Sequence, residues 1–175
     1  KYKPGIPVVY NTGGYDSVEA LKLLDGLVDI YLTDMKYVSP SVSKKYSRAE
    51  NYFDICSKAI LEMRRQQPED IFENGLMKKG MIIRHLVLPG NVSQGMKMLD
   101  WVDENVSNQT IISLMGQYMP CAKAAEYPTI NRKISMREYD TVISHAERLG
   151  FENVYIQELD SSSQEYIPNF DLTGV

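Results

Sequence analysis

Short apolar runs alternate with amphipathic stretches along this chain, and most of the runs end on polar residues. Val8 to Tyr10 is β-branched and aromatic, which predicts a strand, and Asn11-Thr12-Gly13-Gly14 follows as a loop. Asp16-Ser-Val-Glu19 has the form of a capping box that opens a helix to about Leu24. Ile30 to Thr33 predicts a second strand, alternating only weakly, as strands buried on both faces do. Ser47-Arg-Ala-Glu50 reads as another capping box. Tyr52, Ile55, Ala59 and Met63 then recur at three- and four-residue spacing, giving a helix to about Gln67, before Pro68. A polar loop with Gly75 and Gly80 leads into a strand from Met81 to Leu88. Asn91-Val-Ser-Gln94 caps a helix that carries Met98, Leu99, Trp101 and Val102. Ile111 to Met115 predicts a strand, and 116–132 is a long irregular stretch with Pro120 and Pro128. Ser135-Met-Arg-Glu138 caps the last long helix, which closes near Leu149-Gly150. Val154 to Gln157 forms a final strand, and 160–175 is a polar tail.

Four helices alternating with five strands call for an α/β fold, a parallel sheet joined by helical crossovers. Periodicity leaves open whether that sheet is open, a full barrel or part of one. The 175 residues suffice for one domain with a real core, expected over 1–159, followed by the tail. A net charge of −4 weighs against nucleic acid as a partner. The longest apolar stretches fall far short of the roughly 20 residues of a membrane span. Cys56 and Cys121 are too far apart for a metal-ligand motif. They read as a buried helix thiol and a loop thiol, which fits a reducing cytoplasm.

The polar strand ends carry the candidate chemistry. Asp34 and Lys36 lie two apart, so both lean to one side of the second strand. One acid and one base there suit a zwitterion such as the amino-acid end of a ligand, or a salt bridge within the pair. Asn11 and Thr12 end the preceding strand, before glycines that permit close approach to the backbone or simply make a tight turn. Arg84 and His85 interrupt an apolar strand, and neighbours in a strand face opposite ways. A guanidinium inside a central strand needs an anionic partner, which a substrate carboxylate or an internal Asp would provide. The default for His85 is a buried, hydrogen-bonded ring. Gln117 and Tyr118 follow the Ile111 to Met115 strand and can reach the same end of the sheet. His145, Glu147 and Arg148 read as solvated helix surface.

Asn-Thr-Gly-Gly-Tyr15, Asp29-Ile-Tyr-Leu-Thr-Asp-Met-Lys36 and Ile83-Arg-His-Leu-Val-Leu-Pro-Gly90, in this order and spacing, resemble the radical S-adenosylmethionine superfamily. The branch most similar is that of pyruvate formate-lyase activating enzyme, and the likeness runs from about Pro7 to Leu159. It implies part of a (β/α)6 partial TIM barrel, lacking its first two units. It also implies S-adenosylmethionine and a [4Fe-4S] cluster at the C-terminal strand ends. By this resemblance Asp34 and Lys36 match an Asp-x-Lys element that contacts the cofactor. Asn11 and Thr12 fall where activating enzymes carry Asp-Thr near a monovalent cation and the cofactor's carboxylate; Asn here removes a charge. Arg84 and His85 lie on a strand whose counterpart carries Arg followed by an aromatic ring. Gln117 and Tyr118 match a loop that brings a His to the cofactor, and that His is absent. The family binds its cluster through Cys-x-x-x-Cys-x-x-Cys and carries a Gly-Gly-Glu element, neither of which occurs here.

The resemblance therefore covers the C-terminal two-thirds of such an enzyme. The parent protein is expected to cleave S-adenosylmethionine reductively and to generate a radical on a glycyl-radical enzyme of the pyruvate formate-lyase type. Flavodoxin or ferredoxin would be the electron donor. The chain alone cannot ligate the cluster and is expected to be inactive. Two other functions fit the residues. One is a non-catalytic half-barrel binding module that forms a homo-oligomer through exposed barrel edges. The other is an unrelated (β/α) barrel lyase or isomerase, in which Lys36 would form a Schiff base.

Overall fold

Each apolar run forms a strand and each amphipathic stretch a helix, so the chain keeps returning to the same end of a growing sheet. In chain order the elements are β1 (Val9–Thr12), α1 (Val18–Leu23), β2 (Ile30–Asp34), α2 (Pro40–Ser47), α3 (Tyr52–Gln66), β3 (Ile71–Glu73) and β4 (Leu76–Leu86). They continue with α4 (Val92–Asn105), β5 (Ile111–Met115), a 3₁₀ turn (Ala122–Glu126), α5 (Met136–Arg148) and β6 (Val154–Ile156). This computed structural model describes residues 5–157 and Leu159; the tail expected at 160–175 lies outside them.

The sheet runs β1-β2-β4-β5-β6 with every neighbouring pair parallel, while β3 pairs antiparallel with β4. The α/β class and parallel sheet with helical crossovers are as expected. Tyr31, Met35, Met81, Ile83, Val87, Ile112 and Leu114 point to one face, where they join Leu21, Cys56, Ile60, Met63, Met98, Leu99 and Val142 in a single core. The opposite face carries Asn11, Leu32, Asp34, Ile82, Arg84, Leu86, Ser113 and Met115, none of which belongs to that core. Among the described residues all the buried helix surfaces therefore meet the sheet on one side. Weak alternation in β2 suggested burial on both faces. Instead Leu32 and Asp34 are half-buried, because no helix packs over them.

Three local expectations are corrected. Ser47 does not cap a helix. It ends α2, an extra helix that starts behind Ser39 with Pro40 in its first turn and closes on Arg48 in a left-handed conformation (φ 55°). The polar loop before β4 is a hairpin, with Asn74 (φ 52°) and Gly75 (φ 77°) at its turn, so β4 begins at Leu76. The caps also differ. Ser17, not Asp16, caps α1, and Asn51 and Asn91 make no side-chain cap bond; of the four boxes read from sequence, the one at Ser135 and Glu138 closes reciprocally.

Candidate ligand-binding site at the strand ends

Near the C-terminal ends of β1, β2 and β4, Asn11, Asp34 and Arg84 come together. Asp34 pairs in register with Arg84, so both side chains rise on the helix-free face. Arg84 donates from Nε to Asp34 Oδ1 at 2.8 Å, and its Nη2 reaches the same oxygen at 2.7 Å and Asn11 Oδ1 at 2.8 Å. Lys36 Nζ lies 3.5 Å from Asp34 Oδ2. The anionic partner that a strand guanidinium requires is thus an internal Asp. Lys36 keeps its side chain 48% exposed, against 18% for Asp34 and 24% for Arg84, so its ammonium faces solvent with donors to spare. Beside the cluster a pocket of about 270 Å³ is lined by Asp34, Lys36, Tyr37, Leu86, Leu88 and Met115. That volume suits an amino-acid-sized group with a polar end and an apolar floor.

The other candidate residues separate from this cluster. Thr12 points to the opposite side of β1, donating to Asp16 and accepting from the Gly14 amide at 3.2 Å. His85 faces the core, fully buried, with Nδ1 donating to the Met35 carbonyl at 2.6 Å, and burial lowers its pKa. Gln117 is exposed and accepts from Gln157 at 2.9 Å. Tyr118 is half-buried, its pKa raised first by burial and then by Cys121, Tyr37 and Tyr46. Neither residue hydrogen-bonds to the Asp34 cluster. His145, expected to be solvated, is half-buried and pairs with Asp100 at 2.6 Å.

Two residues that sequence reasoning counted only as apolar helix or free thiol hold the strand ends in place. Tyr52, at the start of α3, accepts a hydrogen bond from the Lys36 amide at 3.0 Å and donates toward the Gly13 carbonyl at 2.9 Å. Cys56, one turn on, lies 3.5 Å from the Asp34 carbonyl oxygen. Burial pushes the Cys56 thiol up to about 12, so it stays protonated and inert at neutral pH. Gly14 (φ 77°) packs so closely here that a Cβ would collide with the Asp34 carbonyl and crowd Cys56 Sγ at 2.8 Å. Gly14 thus serves close packing of loop on strand end.

A larger cavity of about 700 Å³ lies at the other end of the strands, lined by Arg64, Asp70, Phe72, Thr110 and Tyr155 among others. Its arginines are already neutralised, Arg64 by Asp70 and Arg65 by Glu62 and Asp25. Parallel α/β sheets hold ligands at the C-terminal strand ends, where the Asp34 cluster has uncommitted donors.

Comparison with known proteins gives no matching family model and no matching solved structure. The uncharacterized protein MJ0674 of Methanocaldococcus jannaschii is 34% identical over 151 residues, which is 86% of this chain and 40% of that protein. The chain therefore spans less than half the length of that relative.

Proposed function

We propose that this chain supplies part of the barrel of a radical S-adenosylmethionine enzyme similar to pyruvate formate-lyase activating enzyme. In this reading the Asp34, Lys36, Asn11 and Arg84 cluster holds the amino-acid end of S-adenosylmethionine. The observation that carries the proposal is the charge arrangement at the strand ends. Among the described residues Asp34 Oδ2 meets only the 3.5 Å contact to Lys36, which leaves it able to accept from an α-ammonium. Lys36 Nζ and the Asn11 amide can donate to an α-carboxylate. Arg84, committed to Asp34 and Asn11, orients both instead of binding the ligand itself. Reductive cleavage of the cofactor is the chemistry that cofactor and cluster supply in that family, while the protein binds, orients and excludes water.

The sheet supports a barrel reading as well. Its parallel strands follow chain order, and its helices lie on one face, as in one arc of a (β/α) barrel. An open doubly wound sheet has helices on both faces. The [4Fe-4S] cluster of that family does not fit the residues of this chain. Among the described residues no three His, Cys, Asp or Glu side chains converge on a metal position, and the Cys56 thiol is buried against Asp34. Thiolates for iron would come from elsewhere in a longer protein. A glycyl-radical enzyme and a flavodoxin or ferredoxin donor are the partners this reading implies.

Calorimetry on the full-length, cluster-reconstituted protein tests the assignment. Asp34→Ala removes a charged hydrogen-bonding partner, a loss of about 1.5–3 kcal/mol. S-adenosylmethionine should then bind about ten- to hundredfold more weakly. Unchanged affinity removes Asp34 from the site. A second reading, a binding module that dimerises through its helix-free face, draws on the exposure of Val9 and Tyr155 at the two sides of that face.

A further inference from the structure

We infer that Tyr52 is the positioning residue of the strand-end site, its hydroxyl fixing where Lys36 and Asp34 present their charges. This rests on reading that site as the holder of the cofactor's amino-acid end.

The sheet itself stops short of Lys36. The β2–β4 ladder ends at Asp34 and Arg84, and the last main-chain bond between those strands runs from the Met35 amide to the Arg84 carbonyl at 2.9 Å. Lys36 is therefore the first residue of this segment whose amide is held by a side chain, the Tyr52 hydroxyl at 3.0 Å. The same oxygen lies 2.9 Å from the Gly13 carbonyl and 3.2 Å from the Asp34 carbonyl. One phenol proton serves one carbonyl at a time, and the shorter contact is to Gly13. A single atom thus ties the loop after β1 to the loop after β2.

That tie sets the place of the ammonium group. A Cβ on Gly13 would stand 3.4 Å from Lys36 Nζ, so the lysine side chain lies across the glycine whose carbonyl Tyr52 holds. Release of the Lys36 amide and the Gly13 carbonyl frees both the base of that side chain and the surface it lies on. Asp34 is pinned from the opposite side by Arg84, so Lys36 is the member of the cluster that depends most on Tyr52.

Ring packing and the hydroxyl serve different ends. The Tyr52 ring is stacked by Tyr15 at 5.9 Å and met edge-on by Tyr37 at 5.6 Å, contacts a phenylalanine would keep. The hydroxyl's hydrogen bonds to the backbone all end on Gly13, Asp34 and Lys36, at the site. Tyr31 provides the contrast. It is buried too, but its hydroxyl bonds to Gln66, away from the strand ends.

The experiment compares Tyr52→Phe with Tyr31→Phe in the full-length, cluster-reconstituted protein. Two quantities are read: steady-state cleavage of S-adenosylmethionine, and the rate at which an amine-acetylating reagent labels Lys36, followed by peptide mass spectrometry. Tyr52→Phe should raise KM about tenfold, the equivalent of one lost hydrogen bond near 1.4 kcal/mol, with kcat within about threefold. Lys36 should be acetylated at least about three times faster. Tyr31→Phe should lower Tm but leave KM and Lys36 labelling as in the wild type. If Tyr52→Phe does not fold, Tyr15→Leu loosens the ring from its exposed side and should move both readings the same way, by less. Unchanged Lys36 labelling in Tyr52→Phe overturns the inference, as does an equal response in Tyr31→Phe. Should Asp34→Ala leave cofactor affinity intact, the cofactor reading falls, and faster labelling in Tyr52→Phe still sustains the positioning role.

Discussion

Arg84 and His85 are chain neighbours with opposite fates, and the difference is electrostatic. Arg84 points to the helix-free face, where Asp34 and Asn11 offset its desolvation. His85 points into the core, where the Met35 carbonyl meets Nδ1 and Gly95 leaves room for the ring. A carbonyl accepts, so Nδ1 carries a proton, and burial favours the neutral ring. Burial, the main cause, lowers its pKa below the usual 6.5. The unfolded chain therefore takes up a proton first as pH falls. The stability this neutral ring provides is complete above pH 6.5 and is lost as pH drops from there toward the folded value. One histidine contributes a slope of at most about 1.4 kcal/mol per pH unit. Urea midpoints between pH 7.5 and 5 should fall less steeply in His85→Gln than in the wild type; parallel curves would show that His85 does not drive the acid loss. Strand alternation made legible that only one of the two residues could face a ligand. It could not say which, because that depends on a carboxylate 50 residues away in sequence, at Asp34. Lys36 was legible for the same reason as Asp34, whereas Tyr52 was not: a tyrosine at helical spacing looks like core until its hydroxyl partners are known.

At the level of elements, strands and long helices follow from hydrophobic spacing, and the differences lie at short-range signals that spacing does not carry. Ser39-Pro40 is a helix start, with proline in the first turn, where its missing N–H costs nothing. Asn74-Gly75 supplies the two positive φ angles a tight hairpin demands. Conversely, Ser47-Arg-Ala-Glu50 has the letters of a capping box, but Arg48 adopts the left-handed conformation that terminates α2. The box at α5 is sound. Ser135 Oγ accepts from the Glu138 amide, and Glu138 in turn accepts from the Ser135 amide, the Gly90 amide and both Arg132 nitrogens. Arg132 foremost, with these amides, holds the Glu138 carboxyl well below the usual range. Ser135→Ala should cost about 1 kcal/mol by loss of the cap. Glu138→Ala should cost more, since it also unties the Gly90 turn from α5. Chemical denaturation of the two variants checks the order, and a larger loss for Ser135→Ala would mean that the carboxylate network adds little.

For the molecule as a whole, the class of fold was legible and its closure was not, because alternation within a strand cannot report what lies over the second face. The structure leaves that face without a helix among the described residues, and its outermost strands carry exposed apolar side chains. Val9 on β1 is 52% exposed and Tyr155 on β6 is 59% exposed, at the two ends of the strand order. Among the described residues neither strand has a neighbour on its outer edge, a template for adding another strand. Half-buried Leu32, Ile82, Leu86 and Met115 extend the apolar surface between them. Water against such an apolar face is unfavourable and the edges can pair with another strand, so the 175-residue chain should self-associate. Sedimentation velocity should show a weight-average coefficient that rises with concentration. A Val9→Lys, Tyr155→Lys double variant places a charge on each outer strand, where edges are naturally protected by lysine. It should shift the chain toward monomer without loss of Tm, because neither side chain belongs to the core. The Asp34 to Lys36 pair lies on the same face, so association through it should also slow acetylation of Lys36 as protein concentration rises. A wild-type chain that stays monomeric at about 100 µM, with Lys36 labelling independent of concentration, would exclude dimerisation through the helix-free face and leave the strand-end site as that face's role.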